Sequence, residues 1–185
     1  MLTRLKVKGF KNLVDVDIRF GPFTCIAGPS AAGKSNLFDA IRFLSGLANR
    51  TLMEGALSVR SEKAANADVR SLFHRVGDKI TDQMAFEAEM IVPQEATDDL
   101  GMTAKATARF VRYTLVLRYR ETSEPVSGQR VPIEIMKEEL VGIPLKQAGR
   151  HLLFPHNVAQ WRKTALKVES RKNRKAPYIS TEDDG

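Results

Sequence analysis

An eight-residue phosphate-loop motif is the feature of this 185-residue chain that most constrains its fold. Residues 28–35 read Gly-Pro-Ser-Ala-Ala-Gly-Lys-Ser and match GxxxxGK[ST] at every fixed position. The apolar run 23–27 predicts a buried strand before the loop, and apolar side chains at 37, 38, 41 and 44 predict a helix after it, running from 33 to about 47. Strand, glycine-containing loop and helix in this order predict an α/β P-loop fold.

The loop predicts an anion-binding site. Glycine at both ends lets the chain turn tightly and point successive backbone N–H groups inward. The following helix adds its unsatisfied N–H groups and the positive end of its dipole. We expect Lys34 to reach the β- and γ-phosphates of a nucleotide and the Ser35 hydroxyl to coordinate Mg²⁺.

Length and composition narrow the class of protein. A chain of 185 residues predicts one domain, and no run approaches the roughly 18 consecutive apolar residues of a membrane helix. Residues 1–8 alternate charged and apolar groups and lack the apolar centre of a signal peptide. Cys25 is the single cysteine, and its place in the expected strand predicts a small buried hydrophobe. These features favour the cytoplasm and no membrane association.

Alternating hydrophobicity predicts antiparallel strands around the loop. Two of them precede the loop, which indicates antiparallel pairing beside the nucleotide, and three follow it as a meander with one solvated face. A short helix is expected near residues 68–76, and the apolar segment 152–155 is expected to dock on the body. The expected strands are 2–10, 14–20, 84–92, 108–120 and 131–141.

The C-terminal part of the chain is the most basic. The formal net charge is +7, and residues 162–175 hold seven Lys or Arg and one acid. We expect residues 1–160 to form the N-terminal lobe and residues 161–185 to form a flexible tail, basic and then acidic. The basic segment can bind DNA through its phosphates or remain a solvated tail, and both interpretations stay open.

Residues 2–47 resemble the opening of an SMC/RecF-type AAA family ATPase, a branch of the ABC ATPase superfamily that includes the OLD nucleases. The resemblance rests on the Phe-Lys-Asn turn at 10–12, the strand 16–20, the phosphate loop and the segment Ser-Asn-Leu-Phe-Asp-Ala-Ile at 35–41. It implies an ABC-ATPase-type N-terminal lobe with an antiparallel β subdomain, present here as the N-terminal portion of a longer ATPase. ATP and Mg²⁺ are the implied cofactors. The implied nucleotide-binding residues are Gly28, Pro29, Ser30, Ala31, Ala32, Gly33, Lys34, Ser35, Asn36, Lys11 and Asn12, with Ser35 as the metal ligand.

The resemblance also implies head-to-head pairing around ATP, with hydrolysis serving DNA maintenance or defence. Two departures qualify it. Ala31 stands where the family prefers glycine, and a Cβ there resists the backbone angles that glycine adopts. No apolar run ends in Asp-Glu to hold Mg²⁺ and activate water, and no LSGGQ signature occurs, so no catalytic residue is assigned.

Two alternatives remain at this point. The chain can be a non-hydrolysing nucleotide-binding or interaction module, as the missing motifs indicate. It can also be a P-loop kinase, but a kinase would continue as a parallel αβ series, whereas the sequence after the loop helix alternates.

Overall fold

Alternating apolar residues build an antiparallel sheet in the computed structural model, which describes residues 1–59, 69–97, 100–120, 132–166 and 179–182. Two 3₁₀ turns lie at Val69–Leu72 and Leu145–Gln147. The strands are β1 (Leu2–Phe10), β2 (Leu13–Arg19), β3 (Arg75–Val76), β4 (Lys79–Ile80), β5 (Gln83–Ile91), β6 (Glu95–Thr97), β7 (Thr103–Lys105), β8 (Phe110–Tyr119), β9 (Ile133–Gly142) and β10 (Ile179–Glu182). The helices are α1 (Lys34–Gly46), α2 (Leu52–Ser58), α3 (Ala148–His151) and α4 (Val158–Lys163).

The main sheet has six strands in the order β10-β9-β8-β5-β1-β2. Every neighbouring pair in it is antiparallel. This confirms both the pairing of the two strands before the loop and the meander after it, and it disfavours a kinase with a parallel series. The α/β class with an antiparallel β subdomain is therefore confirmed. The short pairs β3-β4 and β6-β7 form two separate hairpins.

Helix α1 lies on one face of this sheet because its apolar residues recur at helical spacing. Leu37, Ala40 and Phe43 are buried. The ring of Phe43 packs against Phe10 and Phe86, with centroids 6.2 and 5.4 Å away. This aromatic cluster fixes the helix, and hence the loop before it, over β1 and β5.

The opposite face carries a buried ion cluster and a second core. The carboxylate of Glu89, which is fully buried, lies 3.3 Å from guanidinium nitrogens of Arg4 and Arg112 and 2.9 Å from Nδ1 of His151. Arg19 donates to the carbonyl of His151. These contacts hold α3 on the sheet beside an apolar core of Ile91, Phe110, Ile143, Ala148, Leu152 and Leu166, so the predicted docking of segment 152–155 is confirmed.

The predicted strand at residues 23–27 is wrong. These residues form no strand, and Phe23 is 88% exposed. A strand exists only where neighbours complete its hydrogen bonds, and among the described residues no strand pairs with this segment. The predicted burial of Cys25 fails for the same reason, since its side chain is exposed.

The expected boundary at residue 160 falls inside α4. Leu166 is 1% exposed, so the packed body reaches at least that residue. Of the expected tail after it, the structure describes residues 179–182, which pair with β9 as β10. Most of the basic segment, namely residues 167–175, lies outside the described residues.

Helix α2 is a feature that the sequence analysis missed. Thr51 caps it by accepting from the backbone N–H of Glu54, and the Glu54 side chain accepts from the backbone N–H of Thr51. The sequence pattern Thr-x-x-Glu at residues 51–54 is typical of such a capping box. Where a helix was expected near 68–76, the structure has a 3₁₀ turn and β3. Within the described part of the chain, no helix has both the length and the apolarity that crossing a bilayer requires.

Candidate functional site

The phosphate loop enters α1 through Gly33 at the helix N-cap. Gly33 has φ +90°, and a Cβ built on it would lie 2.9 Å from Oδ1 of Asn12. Glycine is therefore favoured here by the backbone angle, and it also leaves room for the Asn12 side chain. In the described structure no side chain caps the first turn of α1, so the helix N-terminus can offer its N–H groups to an anion.

The side chain of Lys34 folds back over the loop. Its Nζ donates to the carbonyl oxygens of Gly28 and Pro29 at 2.7 and 2.6 Å. Both bonds are exposed, so water or a ligand oxygen can replace either acceptor at little cost. Ser35, the next residue, is exposed in the first turn of α1, where its hydroxyl is accessible to a cation.

Ala31 adopts a strained backbone conformation in the middle of the loop. Its φ is +66°, in the left-handed region that favours glycine. The left-handed conformation costs an L-residue with a Cβ about 1–2 kcal/mol. The departure noted in the sequence therefore coincides with a position where glycine would be the less strained choice.

We predict that Ala31→Gly tightens nucleotide binding. Relief of about 1 kcal/mol of strain would raise the affinity for Mg²⁺-ATP by about fivefold where the nucleotide requires the left-handed conformation and the free loop can leave it. Calorimetric titration of both proteins measures the effect. Ala32→Gly is the matched control, because it adds the same backbone freedom at a residue whose φ is not positive. Equal or weaker binding by Ala31→Gly would contradict the prediction.

Two residues of the turn between β1 and β2 meet the first turns of α1. The Nδ2 of Asn36 donates to Oδ1 of Asn12 at 2.6 Å, and the Nζ of Lys11 lies 2.6 Å from Oδ2 of Asp39. The Phe-Lys-Asn turn and the phosphate loop thus form one structural unit. Asn36 and Asp39 are three residues apart and share one helix face, which explains how both reach the same turn.

A cleft of about 670 Å³ opens beside this unit. It lies between the β1–β2 turn, the 3₁₀ turn at Val69–Leu72 and the β3-β4 hairpin. Its lining carries a lysine, two arginines and one carboxylate beside an aromatic ring, and its volume falls in the range of small-molecule sites. The lining residues are Lys11, Asn12, Arg70, Ser71, Phe73, His74, Arg75, Asp78 and Ile80.

The structure thus brings the predicted residues Lys11, Asn12 and Asn36 to the loop, together with Gly33 and Lys34. Ser30 and Ala32 are exposed in the loop. In the described ranges, no group of three or more His, Cys, Asp or Glu side chains is placed to hold a metal ion. The Ser35 hydroxyl stays a prediction as the one protein ligand of Mg²⁺. The phosphates of a nucleotide would supply further oxygen ligands.

A family model described as an AAA domain matches residues 4–138, which is well over half of the chain. The chain belongs to this family. The match begins in β1, spans the phosphate loop and α1, and ends in β9, so it includes every residue of the site described above.

Curated relatives of this AAA domain place it among SMC- and RecF-like ATPases. It is 48% identical over 46 residues to an OLD nuclease of Thermus scotoductus, covering 25% of this chain and 9% of that protein. It is 31% identical over 108 residues to a chromosome partition protein Smc of Bordetella petrii, covering 53% and 9%. It is 35% identical over 75 residues to a DNA repair protein RecN of Xylella fastidiosa, covering 40% and 14%. The resemblance stated from residues 2–47 is confirmed.

The chain spans about a tenth of the length of these relatives. Within the AAA domain, the sequence analysis missed the residues that complete the site around Lys11, namely Asp39 and the cleft residues Arg70, His74 and Arg75. Asp39 could have been found from its spacing to Asn36. The cleft residues carry no comparable signal, because they lie more than 30 residues after the loop and reach the β1–β2 turn through backbone contacts such as the bridge between Phe10 and Phe73.

Proposed function

We propose that this AAA domain binds ATP with Mg²⁺ through the phosphate loop. The observation that carries the proposal is the loop itself: Gly33 in a left-handed N-cap, an uncapped helix N-terminus and the ammonium of Lys34 directly above two loop carbonyls. Backbone N–H groups and a helix dipole in this arrangement favour phosphate.

In the proposed complex, residues 28–36 hold the phosphates. Lys34 exchanges its loop carbonyls for β- and γ-phosphate oxygens, since a charged acceptor makes the stronger hydrogen bond. The hydroxyl of Ser35 ligates Mg²⁺, which neutralises phosphate charge when bound. Lys11 and Asn12 lie at the side of the phosphates, and the cleft beyond them receives the nucleoside.

Titration of the 185-residue chain with Mg²⁺-ATP by calorimetry tests this proposal. Saturable one-to-one binding that adenosine does not reproduce would support phosphate recognition by the loop. Equal affinity for adenosine and ATP would place recognition on the nucleoside alone and contradict the role of the loop. No binding by a folded sample would overturn the proposal.

We further propose that the longer protein to which such a domain belongs is an SMC/RecF-type ATPase acting in DNA maintenance or defence. The names of the relatives, a nuclease, a chromosome partition protein and a DNA repair protein, support this class. In it, two heads would pair around ATP, and DNA would be the partner. ATP-dependent dimerisation of the longer protein, with DNA-stimulated release of phosphate, is the expected result.

The second candidate is a nucleotide-binding or interaction module that does not hydrolyse ATP. The left-handed Ala31 favours it, because a residue with a Cβ holds the loop less readily than glycine in a conformation that phosphate requires, and so does the absence of an apolar run ending in Asp-Glu from the sequence. Phosphate release under multiple turnover by this chain alone would exclude that candidate. Binding without turnover would support it for the 185-residue chain.

A further inference from the structure

Two hydrogen bonds hold the backbone of Lys11 in an uncommon conformation. Its φ is +49°, a left-handed conformation that is costly for a residue with a Cβ and persists only where surrounding contacts enforce it. Its backbone N–H donates to the carbonyl of Leu72 at 2.7 Å, and its own carbonyl accepts from Nδ1 of His74 at 2.6 Å. The backbone of Lys11 is therefore fixed between β1 and the start of the β3-β4 hairpin.

Asp39 fixes the side chain of the same residue. The Lys11 ammonium lies 2.6 Å from Oδ2 of Asp39, and the two side chains are only 17% and 21% exposed. The short distance and the partial burial make this pair stronger than an exposed surface pair. Asp39 stands on α1, the helix that begins at the phosphate loop, so it ties the position of the ammonium to the position of the loop.

We propose that Asp39 is a positioning residue of the nucleotide site, an inference that rests on the proposed binding of ATP. It holds the Lys11 ammonium where the phosphate loop meets the cleft, and there the ammonium contacts the anionic part of the bound nucleotide with its remaining protons. A lysine has many rotamers, and freezing one on binding costs affinity. Asp39 immobilises this side chain before the nucleotide arrives.

The charge of Asp39 and its contact with Lys11 predict opposite effects on ATP affinity when the carboxylate is removed. A carboxylate near the phosphates repels ATP, so its removal would tighten binding if repulsion were its only effect. If Asp39 acts through Lys11, its removal instead weakens binding, and the weakening vanishes once Lys11 carries no ammonium. The two effects are opposite in direction and separable by a double-mutant cycle.

The test uses Mg²⁺-ATP titrations of the full chain with Asp39→Asn, Lys11→Met and the double variant. We expect Asp39→Asn to weaken binding about threefold to tenfold, the range for loss of one pre-ordered long side chain. Added to Lys11→Met, it should cause no further weakening, and Asp39→Glu should restore part of the affinity. Glu95→Gln is the matched control, because it removes a carboxylate that pairs with Lys105 on the β6-β7 hairpin, outside the loop and the cleft, and it should not weaken binding.

Three results would overturn the inference. Tighter or unchanged binding by Asp39→Asn would show that the carboxylate does not position Lys11. Equal weakening with and without the Lys11 ammonium, or failure of Asp39→Asn to fold, would give Asp39 a structural role only. If the unchanged chain binds no ATP, both the proposed function and this inference are wrong. If the unchanged chain and Asp39→Asn bind ATP equally well, only this inference is wrong.

Discussion

Replacement of Lys34 by alanine is expected to weaken Mg²⁺-ATP binding by about 10- to 150-fold. This range corresponds to the roughly 1.5–3 kcal/mol of a hydrogen bond to a charged group. In the free protein the Lys34 ammonium donates to the carbonyls of Gly28 and Pro29, both in exposed positions. The variant should therefore fold as the original does, and the loss should appear in affinity and not in stability.

Lys6→Ala is the matched control for this prediction. It removes the same charge from an exposed lysine on β1, opposite Asp17 and outside the loop and the cleft. Its effect on affinity should stay below about twofold, since a distant exposed charge is largely screened. Equal effects of the two substitutions would mean that ATP responds to net charge and not to the Lys34 ammonium.

Replacement of Glu89 by glutamine is expected to lower the free energy of unfolding by about 3 kcal/mol. The change removes the charge while keeping the shape, and it leaves Arg4 and Arg112 near a neutral group in a buried setting. Breaking a buried ion cluster from one side costs about 3–5 kcal/mol, and the lower end applies here because Arg112 is partly exposed. Urea denaturation measures the change.

Glu87→Gln is the control within the same strand. Glu87 lies 3.4 Å from the same Arg4 guanidinium but is 27% exposed, whereas the Glu89 side chain is fully buried. We expect a loss below about 1 kcal/mol, as for other solvent-accessible pairs. A loss as large as that of Glu89→Gln would show that burial is not what makes the cluster strong.

The acid sensitivity of the protein should change with Glu89→Gln as well. Burial by itself would raise the pKa of Glu89, but the hydrogen bond and charge of His151, the charge of Arg112 and the hydrogen bond from Arg4 outweigh it and lower the pKa below its ordinary 4.5. A carboxyl whose pKa is lower when folded stabilises the fold above its unfolded value and loses that contribution as pH falls through the folded value. Below pH 4.5 the unfolding free energy of the original protein should therefore fall more steeply than that of the variant.

The sequence predicts those parts of the fold whose signals are local. The helix after the loop and five of the six strands of the main sheet follow from periodicity alone, because each presents one apolar face. Residues 23–27 show the limit of this approach. A short apolar run is compatible with a buried strand, but pairing depends on partners elsewhere in the chain, and Phe23 is instead exposed.

Only part of the candidate site could be predicted from the sequence. The loop residues and the Lys11-Asn12 turn could be predicted, because a motif and a resemblance name them. The cleft and the cluster around Glu89 could not, since the cluster joins residues 23 to 85 positions apart that tertiary packing brings together. In the sequence, Glu89 is one of several acids on an alternating strand, and nothing marks it as the buried one.

Hydrogen exchange of the loop amides, with and without Mg²⁺-ATP, tests the central claim most directly. If backbone N–H groups cradle the phosphates, the amides of Gly33, Lys34 and Ser35 should exchange at least about tenfold more slowly in the presence of the nucleotide. The amides of the β6-β7 hairpin should not change. Unchanged exchange at the three loop residues under saturating nucleotide, or protection confined to other parts of the chain, would contradict phosphate binding by this loop.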